Sequence, residues 1–181
     1  MTIQKKLYLS FTLILGFMLA LFVVDFFATR HERSTKEAAS ATENVRFQMM
    51  QNRLTLANYL LSGDTRELDK LHDGSARLAS LIRDAQTLAS SKDEVEALGK
   101  LDGMEKDWSN DFAAKMVSKR KDVDAGNATV ADLQIKYLQE DPVGWVEKSN
   151  NVVLKMQKDR EDSDRLASRV TTGLSLGFLV F

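Results

Sequence analysis

LYLSFTLILGFMLALFVV, residues 7–24, is the stretch on which the reading of the whole chain turns. It holds no charge and no proline, follows Lys5 and Lys6, and precedes a long polar region rich in helix-forming residues. As a helix it reaches about 27 Å, close to the hydrocarbon thickness of a bilayer. The expectation is a transmembrane helix over 7–27, with Asp25 near its outer interface. Residues 1–6 then form a short cytoplasmic tail, because basic flanks stay inside. A cleaved signal peptide fits less well, since the apolar run is long and Ala28-Thr29-Arg30 is a poor small-residue cleavage motif.

The far end has a related character. GLSLGFLVF, residues 173–181, is uncharged but as a helix would cover only about 14 Å. The expectation for 171–181 is the truncated start of a second span. Both ends then lie at a membrane, and residues 28–170 form a domain outside the cytoplasm.

Composition narrows what that domain is. One proline in 181 residues, with abundant Ala, Leu, Lys, Glu, Arg, Gln and Met, points to long helices, and no segment alternates like a strand. A net charge of −1 argues against nucleic acid as a partner. The absence of cysteine excludes disulfides and thiolate metal sites, and two histidines, His31 and His72, are too few for a histidine-rich one.

Helical spacing divides 28–170 into four long helices. In the first, Val45, Met49, Leu56 and Leu60 share one side, and Met50, Leu54, Ala57 and Leu61 widen the stripe. Ser62-Gly63-Asp64 ends it: Gly63 permits a C-cap conformation, and Asp64 with Glu67 predicts a capping box for the next helix. That second helix, about 65–90, repeats Leu71, Leu78 and Ala85 every seven residues, with Leu81, Ile82 and Leu88 alongside. Gly74 within it weakens the helix or admits a close neighbour.

Ser91, with Glu94 three positions on, predicts the next N-terminus, and Val95, Leu98, Leu101, Trp108 and Phe112 form an apolar strip reaching about Arg120. A charged turn at 119–127 precedes a short amphipathic helix over 128–140. Asp141 as cap and Pro142 at the first helical position start the last helix, carrying Trp145, Val146, Val153, Met156 and Leu166. Four such helices joined by short reversals predict an all-α, up-down-up-down four-helix bundle.

Catalytic signatures are missing. No glycine-rich phosphate loop and no His-Glu-x-x-His motif occurs, so the expectation is no enzyme, no catalytic residue, no metal and no cofactor. Asp107 and Asp111, one turn apart, read as a solvated face. Arg46 and Arg53, seven residues apart, can share a helix face and hold a carboxylate ligand through bidentate bonds; Tyr59 is a further candidate contact. Ion pairing of those arginines within the protein is the plainer alternative.

The order of these features resembles the helical CHASE-type sensors and related four-helix-bundle sensors of bacterial methyl-accepting chemotaxis proteins. The opening MTIQKKLYLSFTLILGF is similar to the start of such receptors. Arg53-Leu-Thr-Leu-Ala-Asn-Tyr59-Leu-Leu-Ser-Gly-Asp-Thr-Arg66-Glu-Leu is similar to the arginine, tyrosine-leucine and glycine-acidic pattern at their first hairpin. The resemblance implies a sensory input module in the lipid bilayer of a bacterial inner membrane, with 28–170 periplasmic and the module working as a dimer; the surplus apolar positions of the first helix, Met49/Met50 and Leu54/Leu56, point to a parallel homodimer contacting mainly through the first and fourth helices. It would respond to a small molecule or periplasmic protein and control a chemotaxis kinase and adaptor through a cytoplasmic region that the chain lacks. The sensor region of a histidine kinase or diguanylate cyclase, or a membrane-tethered structural bundle, would share the same pattern.

Overall fold

The computed structural model describes the backbone of residues 3–179, with side chains from 15 to 169 except 17, 20, 21, 24, 25, 27, 28, 31, 32 and 167. Every regular element among the described residues is helical. In chain order these are α1 (Ile3–Ser62), α2 (Thr65–Leu88), α3 (Lys92–Asp107), a π-helical turn (Trp108–Ala113), α4 (Ala114–Asp124), α5 (Val130–Gln139) and α6 (Pro142–Leu179). The chain divides into two compact units, Met1–Glu37 and Ala38–Phe181. In the first, the Arg30 guanidinium sits 4.8 Å from the Phe26 ring centroid, and Arg33 lies 4.0 Å from Glu37.

The helix ends in the second unit have local causes. Gly63 takes a φ of +72°, and its N–H donates to the Tyr59 carbonyl at 2.8 Å, closing the last turn of α1. Arg120 of α4 donates to the Leu60 carbonyl at 2.9 Å; a Cβ at Gly63 would stand 2.5 Å from its Nη2. The positive φ favours glycine there, and a Cβ would also have to displace the Arg120 guanidinium.

Asp64 caps α2 by accepting from the Arg66 N–H at 3.0 Å. The reciprocal half of the expected box does not form, because Glu67 pairs with Lys70 at 2.5 Å. Ser91 accepts from the Glu94 N–H at 3.1 Å, while Glu94 returns to the Ser90 N–H at 2.9 Å. Asp141 accepts from the Gly144 N–H at 3.0 Å, and Pro142 opens α6 as expected. The full capping box belongs to Thr129 and Asp132 on α5, a pairing the sequence reading passed over.

Within Ala38–Phe181 the buried face of α1 runs Ala38, Thr42, Val45, Met49, Asn52, Leu56 and Tyr59, alternating steps of four and three. Val45 and Met49 meet Leu78, Ile82 and Ala85 of α2, Leu98 and Leu101 of α3, and Val153 and Met156 of α6 in one apolar cluster. Leu56, Tyr59 and Leu60 enter a second, with Trp108, Phe112, Met116 and Leu133. Phe112 stacks on Trp108 at 6.2 Å and meets Tyr137 edge-on at 5.6 Å. Of the wider stripe expected on α1, Met50, Leu54 and Leu61 are exposed and Ala57 is half-buried; Phe47 is exposed beside them. Val95, Leu138 and Leu166, expected on buried faces, are exposed as well.

The expected inner-membrane localisation is overturned. Among the described residues, no helix is long and apolar enough to cross a membrane. A span needs about 20 consecutive, mainly apolar residues. The exposed Leu15, Met18, Leu19, Phe22, Val23 and Phe26 instead belong to a helix that runs on into Arg30, Arg33, Lys36 and Glu37. Residues 7–14 and 171–181, on which the two expected spans also relied, have side chains outside the described ones.

Candidate functional site

The buried seam of α3 and the π-helical turn that continues it runs Leu98, Leu101, Glu105, Trp108 and Phe112, so its spacing carries one carboxylate into the interior. Glu105 is 7% exposed. Arg53 reaches it from α1, donating from Nη2 to Glu105 Oε1 at 2.6 Å and to Ser149 Oγ of α6 at 2.9 Å. Ser149 in turn donates back to its own helix, with the Trp145 carbonyl at 3.0 Å and the Val146 carbonyl at 3.2 Å. The guanidinium lies 5.4 Å from the Trp108 ring centroid, a cation–π contact. One arginine therefore ties α1, α3 and α6 together.

The pairing is incomplete. Arg53 Nε and Glu105 Oε2 are both buried without a hydrogen-bond partner, so the fork geometry open to an arginine and a carboxylate is only half used. Burial pushes the Glu105 carboxyl above the usual glutamate range, and the charge and hydrogen bond of Arg53 act against that shift without cancelling it. The core thus holds a carboxylate whose negative charge is under-compensated.

A cavity of about 200 Å³ adjoins this pair. Glu105, Trp108 and Asn52 line one part of it, and Leu78, Ala79 and Ile82 of α2 supply its apolar wall. Asp102 and Lys106, joined at 2.5 Å, also line it and are more open to solvent. The π-helical turn begins at Trp108, at the edge of this space. Such turns are rare, occur mostly as single-turn bulges within α-helices, and are frequent at functional sites.

Further polar contacts cross the same unit. Arg160 of α6 bonds Glu94 of α3 and reaches Thr42 of α1 at 3.3 Å. Gln157 donates to Glu43, again from α6 to α1. Gln48 donates to Asn52 Oδ1 at 2.9 Å inside the core, opposite Gly74. A Cβ at Gly74 would overlap Asn52 Oδ1 and stand 3.1 Å from Gln48 Nε2, so the glycine admits a buried amide pair.

The three expected ligand contacts are separated by these arrangements. Arg53 is at the site, with its Nη2 bound to groups of the protein itself. Arg46 stays at the surface, 3.6 Å from Glu43, and does not join Arg53. Tyr59 is buried in the second apolar cluster, where burial, with a smaller contribution from Asp124, pushes its phenol above the usual range. Gly63, Asp64, Ser91, Asp141 and Pro142 act at helix ends, whereas Glu67 pairs with Lys70 instead of completing a cap. Glu105 and Ser149 were missed, although each stands at a seam position in its helix. No group of three or more His, Cys, Asp or Glu capable of holding a metal occurs among the described residues.

No family model, curated protein or solved structure matches the chain. The resemblance to chemoreceptor sensors therefore rests on the residues that carry it.

Proposed function

We propose that the chain is a non-catalytic sensory input module of the chemoreceptor kind. In this reading it is an up-down-up-down four-helix bundle that converts binding of a small molecule or partner protein into movement of α6 against α1 and α3. An attached signalling region reads that movement and biases a chemotaxis kinase and its adaptor. The observation that carries the reading is the way α6 is fastened. Ser149, Gln157 and Arg160 bond to Arg53, Glu43, and Thr42 with Glu94, while Val153 and Met156 supply the apolar contacts between them.

Directional bonds to charged groups favour a small number of discrete helix positions over continuous slippage. A ligand that bonds differently to the site in two such positions shifts their populations by that difference, which is all that sensing requires. The exposed α1 stripe of Phe47, Met50, Leu54 and Leu61 adds a surface for a parallel homodimer, with the like residues of two copies facing each other.

The chain contains no cysteine, so pairs of introduced cysteines can be spin-labelled without background. Labels at the exposed positions Asn44 and Lys155 report the α1–α6 distance. The protein is carried in a hybrid receptor with a chemotaxis signalling region, and Ser149→Val removes the hydroxyl that links α6 to Arg53. The expected result is a displaced distance distribution together with a changed kinase output. A displaced distribution with unchanged kinase output, in this variant and in Arg160→Met, would refute transmission through α6.

A further inference from the structure

We infer that the cavity beside Glu105 is a binding site for a small organic ammonium ion carrying a compact apolar group. The inference deepens the sensory reading by naming the ligand class, and it rests on that reading only for the consequence of binding.

Three features of the site select this chemistry. Glu105 is nine-tenths buried and lines the cavity, yet its Oε2 accepts nothing. An ammonium donor is the complement of an unused carboxylate oxygen, and charge-assisted bonds of that kind are the strong ones. Asn52 and Asp102 also line the space, but Asn52 Oδ1 already accepts from Gln48 and Asp102 is paired with Lys106, the one ammonium group of the lining, so Glu105 Oε2 is the acceptor left over. Arg53, whose Nη2 bonds Glu105 and Ser149, is not part of the lining. An anionic ligand would meet two carboxylates and no unengaged cation.

The remaining wall is apolar and aromatic. Leu78, Ala79 and Ile82 face a space bounded on another side by Trp108, which suits a ring or short branched chain. Size agrees: a cavity of roughly 150 Å³ holds benzene, and this one is about 200 Å³. The excess volume accommodates one more carbon and the ammonium head. The π-helical turn starting at Trp108 sets that indole and Glu105 on adjoining turns of one helix, so that the ring and the charged head of one ligand can be contacted together.

Benzylammonium is the probe, with benzyl alcohol and benzoate as isosteric neutral and anionic controls. Calorimetric titration of the full chain should give a dissociation constant on the order of millimolar for benzylammonium, in keeping with about eight non-hydrogen atoms. Both controls should bind at least ten-fold more weakly. Glu105→Gln should weaken benzylammonium at least ten-fold and leave benzyl alcohol unchanged, with helical content checked by circular dichroism. Ala79→Leu, which fills the apolar wall and leaves the ion pair intact, should abolish binding of all three probes. Equal or tighter binding of either control, unchanged affinity in both variants, or no saturable heat with benzylammonium would overturn the inference. Binding that leaves the Asn44–Lys155 distance unmoved would retain the site and count against the sensory reading alone. A change of that distance under another effector, with no benzylammonium binding, would do the reverse.

Discussion

Replacing Arg53 by methionine should destabilise the protein by an amount that depends on pH, and the structure bounds that amount. The substitution keeps most of the apolar stem and removes the guanidinium from Glu105, which then stands in the core with neither oxygen paired. Stripping one partner from a buried ion pair typically costs about 3–5 kcal/mol. Glu105 can limit the loss by taking up a proton. At pH 7 that uptake costs about 3.7 kcal/mol, from an ordinary glutamate value of about 4.3 and roughly 1.36 kcal/mol per unit. The penalty should therefore reach at most about 4 kcal/mol at pH 7 and fall to about 1 kcal/mol at pH 5.

The sign follows from linkage. In the variant, native Glu105 keeps a proton that the unfolded chain releases above about pH 4.3, so stability decreases as pH rises through that window. Glu105→Leu differs because the guanidinium left behind cannot lose its proton; its cost should be about 3–5 kcal/mol at both pH values. The double variant, Arg53→Met with Glu105→Leu, should lie within about 1–2 kcal/mol of the parent, since removal of both charges leaves neither uncompensated. Urea denaturation followed by far-ultraviolet circular dichroism at the two pH values measures all four corners of the cycle. Additive single effects, or an Arg53→Met penalty that does not change between pH 7 and pH 5, would refute the buried-pair account.

Gly74→Ala should destabilise by about 1–3 kcal/mol through overlap with Asn52, the reverse of the usual gain of up to about 1 kcal/mol for alanine in a helix interior; thermal unfolding gives the sign. Acidification should loosen the start of α2, because the bonds from Arg66 hold the Asp64 carboxyl at about 2, and the stability this supplies is lost as pH falls from about 4 through that value. Amide exchange at Arg66 across that range is the check, with Asp64→Ala removing the pH dependence. Phe47→Glu combined with Leu54→Glu should convert a homodimer to a monomer in sedimentation experiments with little change in circular dichroism, since both side chains lie outside the core. A parent chain that stays monomeric at the highest accessible concentration would count against pairing through α1.

The helices and their breaks were legible because the signals that make them are local. Ser62-Gly63-Asp64, Ser91 and Asp141-Pro142 stop or start helices through the conformations and bonds of a few neighbouring residues. Which apolar residues form the core was only partly legible. Met49 and Met50 are adjacent in sequence and both suit a buried stripe, yet Met49 is buried and Met50 is exposed. Helical periodicity marks a wide apolar arc, and the neighbours that cover part of it are set by tertiary packing. The site was hidden for a related reason. Glu105 interrupts the seam of Leu98, Leu101, Trp108 and Phe112 at the one position where an apolar residue was due. A charge at a seam position is the readable signal; its partners, 52 residues earlier and 44 later, are not. The π-helical turn left no recognised mark, because its winding depends on how Trp108 and Phe112 pack.

The polar residues on the seams explain how one register can be specified among helices that repeat nearly the same three-and-four pattern. A seam of Leu, Val and Met alone would pack almost as well after a shift of one heptad, leaving several arrangements close in energy. Thr42, Glu105, Ser149 and Arg160 remove that degeneracy, because each finds its partner on another helix at one offset only: Arg160 must meet Glu94 and Thr42 while Arg53 meets Glu105 and Ser149. A heptad slip of α6, about 10 Å along its axis, would separate both sets together and bury unpaired charge. Smaller displacements face a gentler opposition. Arg53 Nε and Glu105 Oε2 have no partner to lose, and each can gain one if α1 and α3 shift slightly against each other. The same charged pair thus opposes wholesale slippage and permits a short movement, which is the mechanical behaviour that the proposed sensory role requires.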